Sequence, residues 1–348
     1  MTTKIRIGLV GAGMIGDVHV ANVAADGRGE VTRVATASRA TLDAKLPKYG
    51  IAQGSLDYRD VVRDPEVDAV IVASPPHTHA QIALAALEAG KHVLLEKPMA
   101  TTREDVARIV EAAAAHPRQV VLDCSCRHAR LQPKFRAVKR MIEDGRLGEV
   151  YHIHHSHLTR GTFIEYNPAG RWALDKAKAG GGPFIDWGVY DLSFHLGLLD
   201  DRPQLSGLGA FTRGGLKVFK DGGVRQDVEE HGAAFMRFDS GLTYYYERGS
   251  GAHCETSNET RVMGTKGSLR FGFCSWDAPS LEYFGLAADG SETHELLPVD
   301  MSAHTEDNLE LTKHFLDCLQ GVAGPMLPVT LAAKHMEILF RVLEARRA

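Results

Sequence analysis

The chain has 348 residues, 24% charged and 44% hydrophobic, and its 40 basic against 44 acidic side chains leave a formal charge of −4. At roughly 100 to 200 residues per domain, that length predicts two domains. The composition excludes disorder, collagen and coiled coil. It offers neither a basic excess to neutralise a phosphate backbone nor an apolar stretch of about 18 residues to span a bilayer, so nucleic acid and membrane are not expected partners. The cysteines, Cys124, Cys126, Cys254, Cys274 and Cys318, are scattered and odd in number, and Lys4 leads directly into an apolar strand with no signal-peptide core. A reducing, cytoplasmic location is expected.

Residues 5–10 form an apolar run of strand length, followed by Gly11, Gly13 and Gly16 and a helical stretch to about residue 24. Further buried strands are expected over 31–37, 69–73, 92–95 and 120–122, with helices over 80–89, stopped by Gly90, and over 103–115. Parallel neighbours need a crossover, so this alternation with short connections means an α/β unit, a parallel sheet with helices on both faces, over 1–123. Next come a helix over 134–144 and short alternating segments at 150–157, 233–238, 242–248, 261–263, 268–271 and 281–284, with Asp239-Ser240-Gly241 as a hairpin turn. One helix, 184–199, follows Gly180-Gly181-Gly182, and two more start near Glu306 and Thr330. Residues 124–348 thus read as an α+β domain with a mostly antiparallel sheet.

Gly11-Ala12-Gly13-Met14-Ile15-Gly16 matches GxGxxG between a strand and a helix, the context in which that pattern binds a dinucleotide. Gly11 permits the tight turn, Gly13 lets the backbone approach a pyrophosphate, and Gly16 lets helix and strand pack closely. The helix start at Met14 and Ile15 offers free N–H groups to the anion. A glycine turn without a ligand is the plain alternative. The next strand ends in Ala35-Thr36-Ala37-Ser38-Arg39, without the carboxylate that accepts from both ribose hydroxyls of NAD. Ser38 and Arg39 are instead a small donor and a cation suited to a 2′-phosphate, and Asp43 falls inside the following helix. NADP(H) is expected in preference to NAD(H); an Arg39 left in solvent would give dual specificity.

Three further segments sharpen this. Ser74-Pro75-Pro76-His77-Thr78-His79 follows the strand over 69–73, the stretch 86–93 leads into Glu96-Lys97-Pro98, and the triple glycine precedes Asp186-x-Gly188-x-Tyr190. With the fingerprint, they make the chain resemble the Gfo/Idh/MocA family of oxidoreductases over nearly its whole length, densely over 5–149 and thinly over 202–303. The resemblance implies an N-terminal Rossmann fold, a C-terminal domain with an open, mostly antiparallel sheet, and NAD(P)-dependent oxidation or reduction of a sugar, polyol or related ring carbinol. It places Ser74, Pro75, His79, Glu96 and Lys97 near the cofactor. The family's lysine maps to Lys97, and its aspartate and histidine four apart map to Asp186 and Tyr190. The tyrosine is a departure shared with the glucose-fructose oxidoreductase and dimeric dihydrodiol dehydrogenase branches, so it reassigns the acid/base. At Trp172-Ala173 relatives often carry Trp-Arg; Arg171 is the candidate replacement for that cation.

The residue chemistry runs the same way. Lys97 lies at the carboxyl edge of the parallel sheet, where ligands bind in open α/β folds. Asp186 and Tyr190 are about 40° apart on a continuous helix and so share a face. A phenol of ordinary pKa near 10 is a poor base at neutral pH, but a nearby ammonium stabilises the phenolate. Tyr190 is therefore expected to exchange the carbinol proton, with Lys97 activating it and Asp186 orienting the hydroxyl or the lysine. The plain alternatives are a core tyrosine, a helix-terminal carboxylate and a surface lysine. In the loop over 160–179, Trp172 is expected to stack on cofactor or sugar, with Arg160, Tyr166, Asn167 and Arg171 as polar handles. Strand alternation sends His152 and His154 to one face and His155 and His157 to the other, so no metal site is expected; His195 reads as packing. An open sheet leaves a broad face for a homo-oligomer. Two other functions stay open: glycoside cleavage through transient oxidation, and dinucleotide sensing without catalysis.

Overall fold

Short apolar runs bounded by glycine and polar turns become β1 (Ile5–Val10), β2 (Gly29–Ala35), β3 (Gly54–Ser55), β4 (Ala69–Val72), β5 (His92–Leu95) and β6 (Val121–Asp123). The computed structural model describes residues 4–216 and 225–345. All six strands run parallel, in the order β3-β2-β1-β4-β5-β6. The order switches direction between β1 and β4, which opens a crevice beyond their carboxyl ends, the ligand position of this Rossmann-like topology. Ile7, Leu9, Val34, Val70, Val93 and Leu94 are buried in its core. β3 has only two residues, too few for a readable period, and exists because Gly54 and Ser55 pair with Val34 and Ala35.

A second sheet contains β7 (Val150–Thr159), β8 (Leu205–Arg213), β9 (His231–Phe238), β10 (Thr243–Ser250), β11 (Ser257–Gly264), β12 (Gly267–Phe271), β13 (Ser280–Leu286) and β14 (Glu292–Pro298). Its order is β14-β13-β12-β11-β7-β10-β9-β8, open at both ends and antiparallel except for the β7–β10 pair. The two edge strands escaped the sequence reading. Neither buries a residue, so neither carries the alternation a core-facing strand shows.

The helix expected over 184–199 is two helices, Pro183–Asp186 and Gly188–Gly197, separated at Trp187. Every residue of Gly188–Gly197 is buried. Its polar groups are matched from the sheet: His195 Nδ1 lies 2.7 Å from the Tyr244 hydroxyl and Nε2 lies 3.1 Å from Thr260 Oγ1, which is also 2.9 Å from His155 Nδ1. His155 and His157 point inward from β7, and burial holds His155 and His195 well below the usual imidazole range and His157 at about 3.

The chain forms two compact units, each assembled from separate segments. One is Met1–Arg127 with Ala177–Gly180 and Thr305–Met336; the other is His128–Lys176, Gly181–His304 and Glu337–Ala348. In the first, helix Asp307–Leu319 packs on helix Met14–Asp26, and Arg28 pairs with Asp26 at 2.7 Å and Asp317 at 2.6 Å. Among the described residues no helix is long and apolar enough to cross a membrane. All five cysteines are free thiols.

The buried imidazoles imply a pH response. Their folded pKa values lie below the ordinary 6.5, so the unfolded chain binds more protons and stability rises with pH across that gap. Their contribution is complete above pH 6.5 and is lost as the pH falls toward the His157 value of about 3. Urea unfolding between pH 7 and 4 should show a declining free energy, and His157→Gln should make the decline shallower.

Candidate active site

The fingerprint forms an anion cradle. Gly11 has φ +104°, and a Cβ there would fall 2.4 Å from the carbonyl carbon of Ala73. A Cβ at Gly16 would fall 2.3 Å from the Gly11 oxygen, whereas one at Gly13 would meet nothing within 4 Å. Gly13 is also the N-cap of helix Met14–Asp26 and supplies no side-chain cap, so no side chain of that residue competes for the first helical N–H groups at Met14 and Ile15. Tight where helix meets strand and open where a pyrophosphate would lie, these residues fit a dinucleotide.

Beyond β2, Ser38 caps helix Arg39–Tyr49 by accepting from the Thr41 N–H at 3.3 Å. Arg39 is exposed and makes a long 3.6 Å pair with Asp43. After β4, the Ser74 and Thr78 hydroxyls lie 2.7 Å apart, Pro75 precedes the turn Pro76–Thr78, and His77 is exposed. His79 is buried with Nδ1 2.9 Å from the Pro98 oxygen and Nε2 2.7 Å from the Ser74 oxygen. Its ring therefore ties the loop after β4 to the loop after β5, and burial lowers its pKa.

Glu96, at the end of β5, is buried and accepts from Arg127 Nη1 at 2.6 Å and the Lys97 amide at 3.1 Å, with His19 Nε2 2.9 Å away. Burial pushes this carboxyl up, but Arg127 and His19 outweigh it and hold Glu96 well below the usual range. Lys97 itself is half-buried on that anchored backbone. The donor atoms of His19, Glu96 and Cys124 lie within 4.8 Å of one another. The guanidinium already sits on Glu96 and burial keeps the Cys124 thiol protonated, so this is an ion centre, poorly suited to a cation. His19 and Arg127 escaped the sequence reading, which had no local signal for their pairing.

In the second unit, helix Pro183–Asp186 begins on buried Glu229, whose Oε1 accepts from Gly182 N at 2.8 Å and Phe184 N at 3.2 Å. A Cβ on Gly182 would fall 1.8 Å from the Glu229 backbone oxygen, so the glycine run admits this close approach. Asp186 ends that helix, whereas the Tyr190 N–H donates to the Trp187 oxygen at 2.8 Å. Asp186 and Tyr190 thus lie on two short helices separated at Trp187 and not on the one continuous helix expected. Tyr190 is buried against His128 and Trp187, at ring separations of 4.9 and 5.3 Å. The next residue, Asp191, holds Arg248 through two bonds of 2.7 and 2.8 Å and accepts from the Tyr246 hydroxyl at 2.9 Å, and Arg248 lies over the Trp187 ring at 5.0 Å.

In the loop over 160–179, Arg160 donates to the Cys254 oxygen at 3.0 Å. Trp172, in the turn Arg171–Leu174, packs against Phe163 at 6.0 Å and is half-buried, and Arg171 is exposed. Tyr166 closes helix Phe163–Tyr166, and its side chain lies outside the described residues.

The Asp191–Arg248 pair is wholly buried, and removing one member leaves an uncompensated charge. Asp191→Ala should therefore destabilise the protein by about 3–5 kcal/mol in equilibrium urea unfolding.

Two family profiles match: an oxidoreductase family with NAD-binding Rossmann fold over residues 5–123, and the GFO/IDH/MocA C-terminal domain over residues 135–270. The chain is 32% identical over 265 residues to a 1,5-anhydro-D-fructose reductase of Ensifer adhaerens, covering 76% of this chain and 74% of that protein. It is 26% identical to a myo-inositol 2-dehydrogenase of Thermotoga maritima, with the same coverage. Its fold matches a solved levoglucosan dehydrogenase, in complex with NADH and L-sorbose, with a TM-score of 0.82 at 20% identity over 99% of this chain and 97% of that one.

Proposed function

The chain belongs to the Gfo/Idh/MocA family of oxidoreductases, and we propose that it oxidises or reduces a carbinol carbon of a cyclic sugar, polyol or related diol, with Lys97, Asp186 and Tyr190 as its acid/base group. The observation that carries this is the cradle at Gly11, Gly13 and Gly16 on the same carboxyl edge as a lysine anchored through Glu96. The reductase and dehydrogenase relatives support the substrate class. A bound nicotinamide supplies the hydride acceptor in oxidation and the donor in reduction.

The chain's own residues do the rest. Gly11, Gly13, Met14, Ile15 and Gly16 bind the pyrophosphate through backbone N–H groups. Ser38 and Arg39 receive a 2′-phosphate, so NADP(H) is preferred and NAD(H) is admitted; the absence of a carboxylate over 35–39 supports that choice. Ser74, Pro75, His79, Glu96 and Trp172 border the nicotinamide half. Tyr190 takes the carbinol proton in oxidation and returns it in reduction, Lys97 supplies the positive charge that favours the phenolate, and Asp186 orients the hydroxyl. Arg160 and Trp172 line the substrate, and Arg171 replaces the cation missing at Ala173. Residues 1–123 serve the cofactor and 124–348 serve substrate and assembly. Phe211 and Phe235, 52% and 49% exposed on the outer face of the second sheet, support a homo-oligomer through that face. The free thiols support a cytoplasmic location.

Nicotinamide absorbance followed with 1,5-anhydro-D-fructose, myo-inositol and levoglucosan, each with NADP(H) and NAD(H), tests the reaction. A net absorbance change separates it from transient-oxidation cleavage and from sensing. Tyr190→Phe and Lys97→Ala should each lower kcat by about 10²- to 10⁴-fold; near-full turnover in either variant removes that residue from the group. Arg39→Asp should shift the ratio of kcat/KM values toward NAD by about tenfold, and an unchanged ratio refutes the 2′-phosphate assignment.

A further inference from the structure

We infer that Trp276 and Trp187 form a preformed stacking corner for the ring of a cyclic sugar or polyol, an assignment that takes its ligand class from the function proposed above. Trp276 is 60% exposed at the tip of the loop between β12 and β13. Its ring stands perpendicular to the half-buried Trp187, at 86° and 6.0 Å, and at 75° and 5.3 Å to His128. Both neighbours are the rings that pack against Tyr190.

An exposed indole on a free loop would mean little. This loop is pinned: Lys134, completely buried, donates from Nζ to the backbone oxygens of Gly272 at 2.9 Å, Cys274 at 2.7 Å and Asp277 at 3.1 Å. Asp277 accepts from the Cys274 N–H at 2.9 Å and Asn258 Nδ2 at 2.6 Å. Burying an ammonium opposes folding unless it is fully bonded, and here three of its bonds hold the backbone on either side of Trp276. The backbone that carries the indole is thereby held before any ligand arrives, which lowers the ordering cost of binding.

The shape and chemistry favour a small ring. The exposed face of Trp276, walled at right angles by Trp187, matches the C–H face of a saturated six-membered ring, and His128 puts a polar ring beside it for a hydroxyl. The apolar surface is about two rings across, far below the roughly 800 Å² per partner that a stable protein interface needs.

Titration of the full-length protein with myo-inositol and with levoglucosan, without nicotinamide, should give a saturable change in tryptophan fluorescence that Trp276→Ala abolishes and Trp276→Phe partly restores. In turnover, Trp276→Ala should raise the substrate KM about tenfold, the scale of one lost aromatic contact, with kcat within about twofold and cofactor KM unchanged. Circular dichroism and Tm should match the parent, since the side chain is largely exposed. Turnover with an unaltered KM in Trp276→Ala overturns the corner and leaves the hydride-transfer reading intact. A saturable signal that needs Trp276 in a protein that oxidises and reduces no sugar sustains the corner and removes that reading. No signal with either probe, or dissociation of an oligomer in sedimentation velocity on Trp276→Ala, overturns the corner, the latter in favour of a second copy as the occupant.

Discussion

One buried carboxylate organises the carboxyl edge of the parallel sheet. Glu96 joins the end of β5 to two segments distant in sequence, His19 on the helix after the glycine turn and Arg127 after β6, and also accepts from the adjacent Lys97 amide. A carboxylate removed from water is tolerated only when its lone pairs are filled, so the positions of these elements are mutually constrained. The cradle and Lys97 are held in one frame as a result. His79 adds a second tie, between the loops after β4 and β5.

The second unit applies the same device at three places. Glu229 sits under the start of the helix that ends in Asp186, Asp191 with Arg248 locks the residue next to Tyr190 to β10, and Lys134 pins the loop of Trp276. Charges buried in this way add little net stability over apolar packing but penalise any displacement heavily. That suits backbone segments whose side chains must hold one orientation.

Much of this was readable from the chain alone. β4 announces itself as an uninterrupted apolar run, β1 and β5 as apolar runs that admit only Arg6 and His92, and the GxGxxG spacing in its strand-to-helix context identifies the cradle. The opposite faces taken by His152 and His154 and by His155 and His157 follow from strand alternation; that the second pair is the buried one does not. The break at Trp187 was not readable, because helix Gly188–Gly197 is buried on every side and its polar residues, Asp191, Ser193 and His195, mark no solvent face to set its limits. β8 and β14, exposed edges, lacked the alternation that marks a strand.

The sequence by itself determined the fold class and the cofactor class, because glycine spacing, apolar runs and short motifs are local and survive without coordinates. Only the tertiary structure decided what holds them. Glu96 and His19 lie 77 positions apart, and Gly182 and Glu229 lie 47 apart. A hydrogen bond between a buried charge and a distant backbone leaves no period and no composition in the chain; it exists only once the surrounding strands have excluded water.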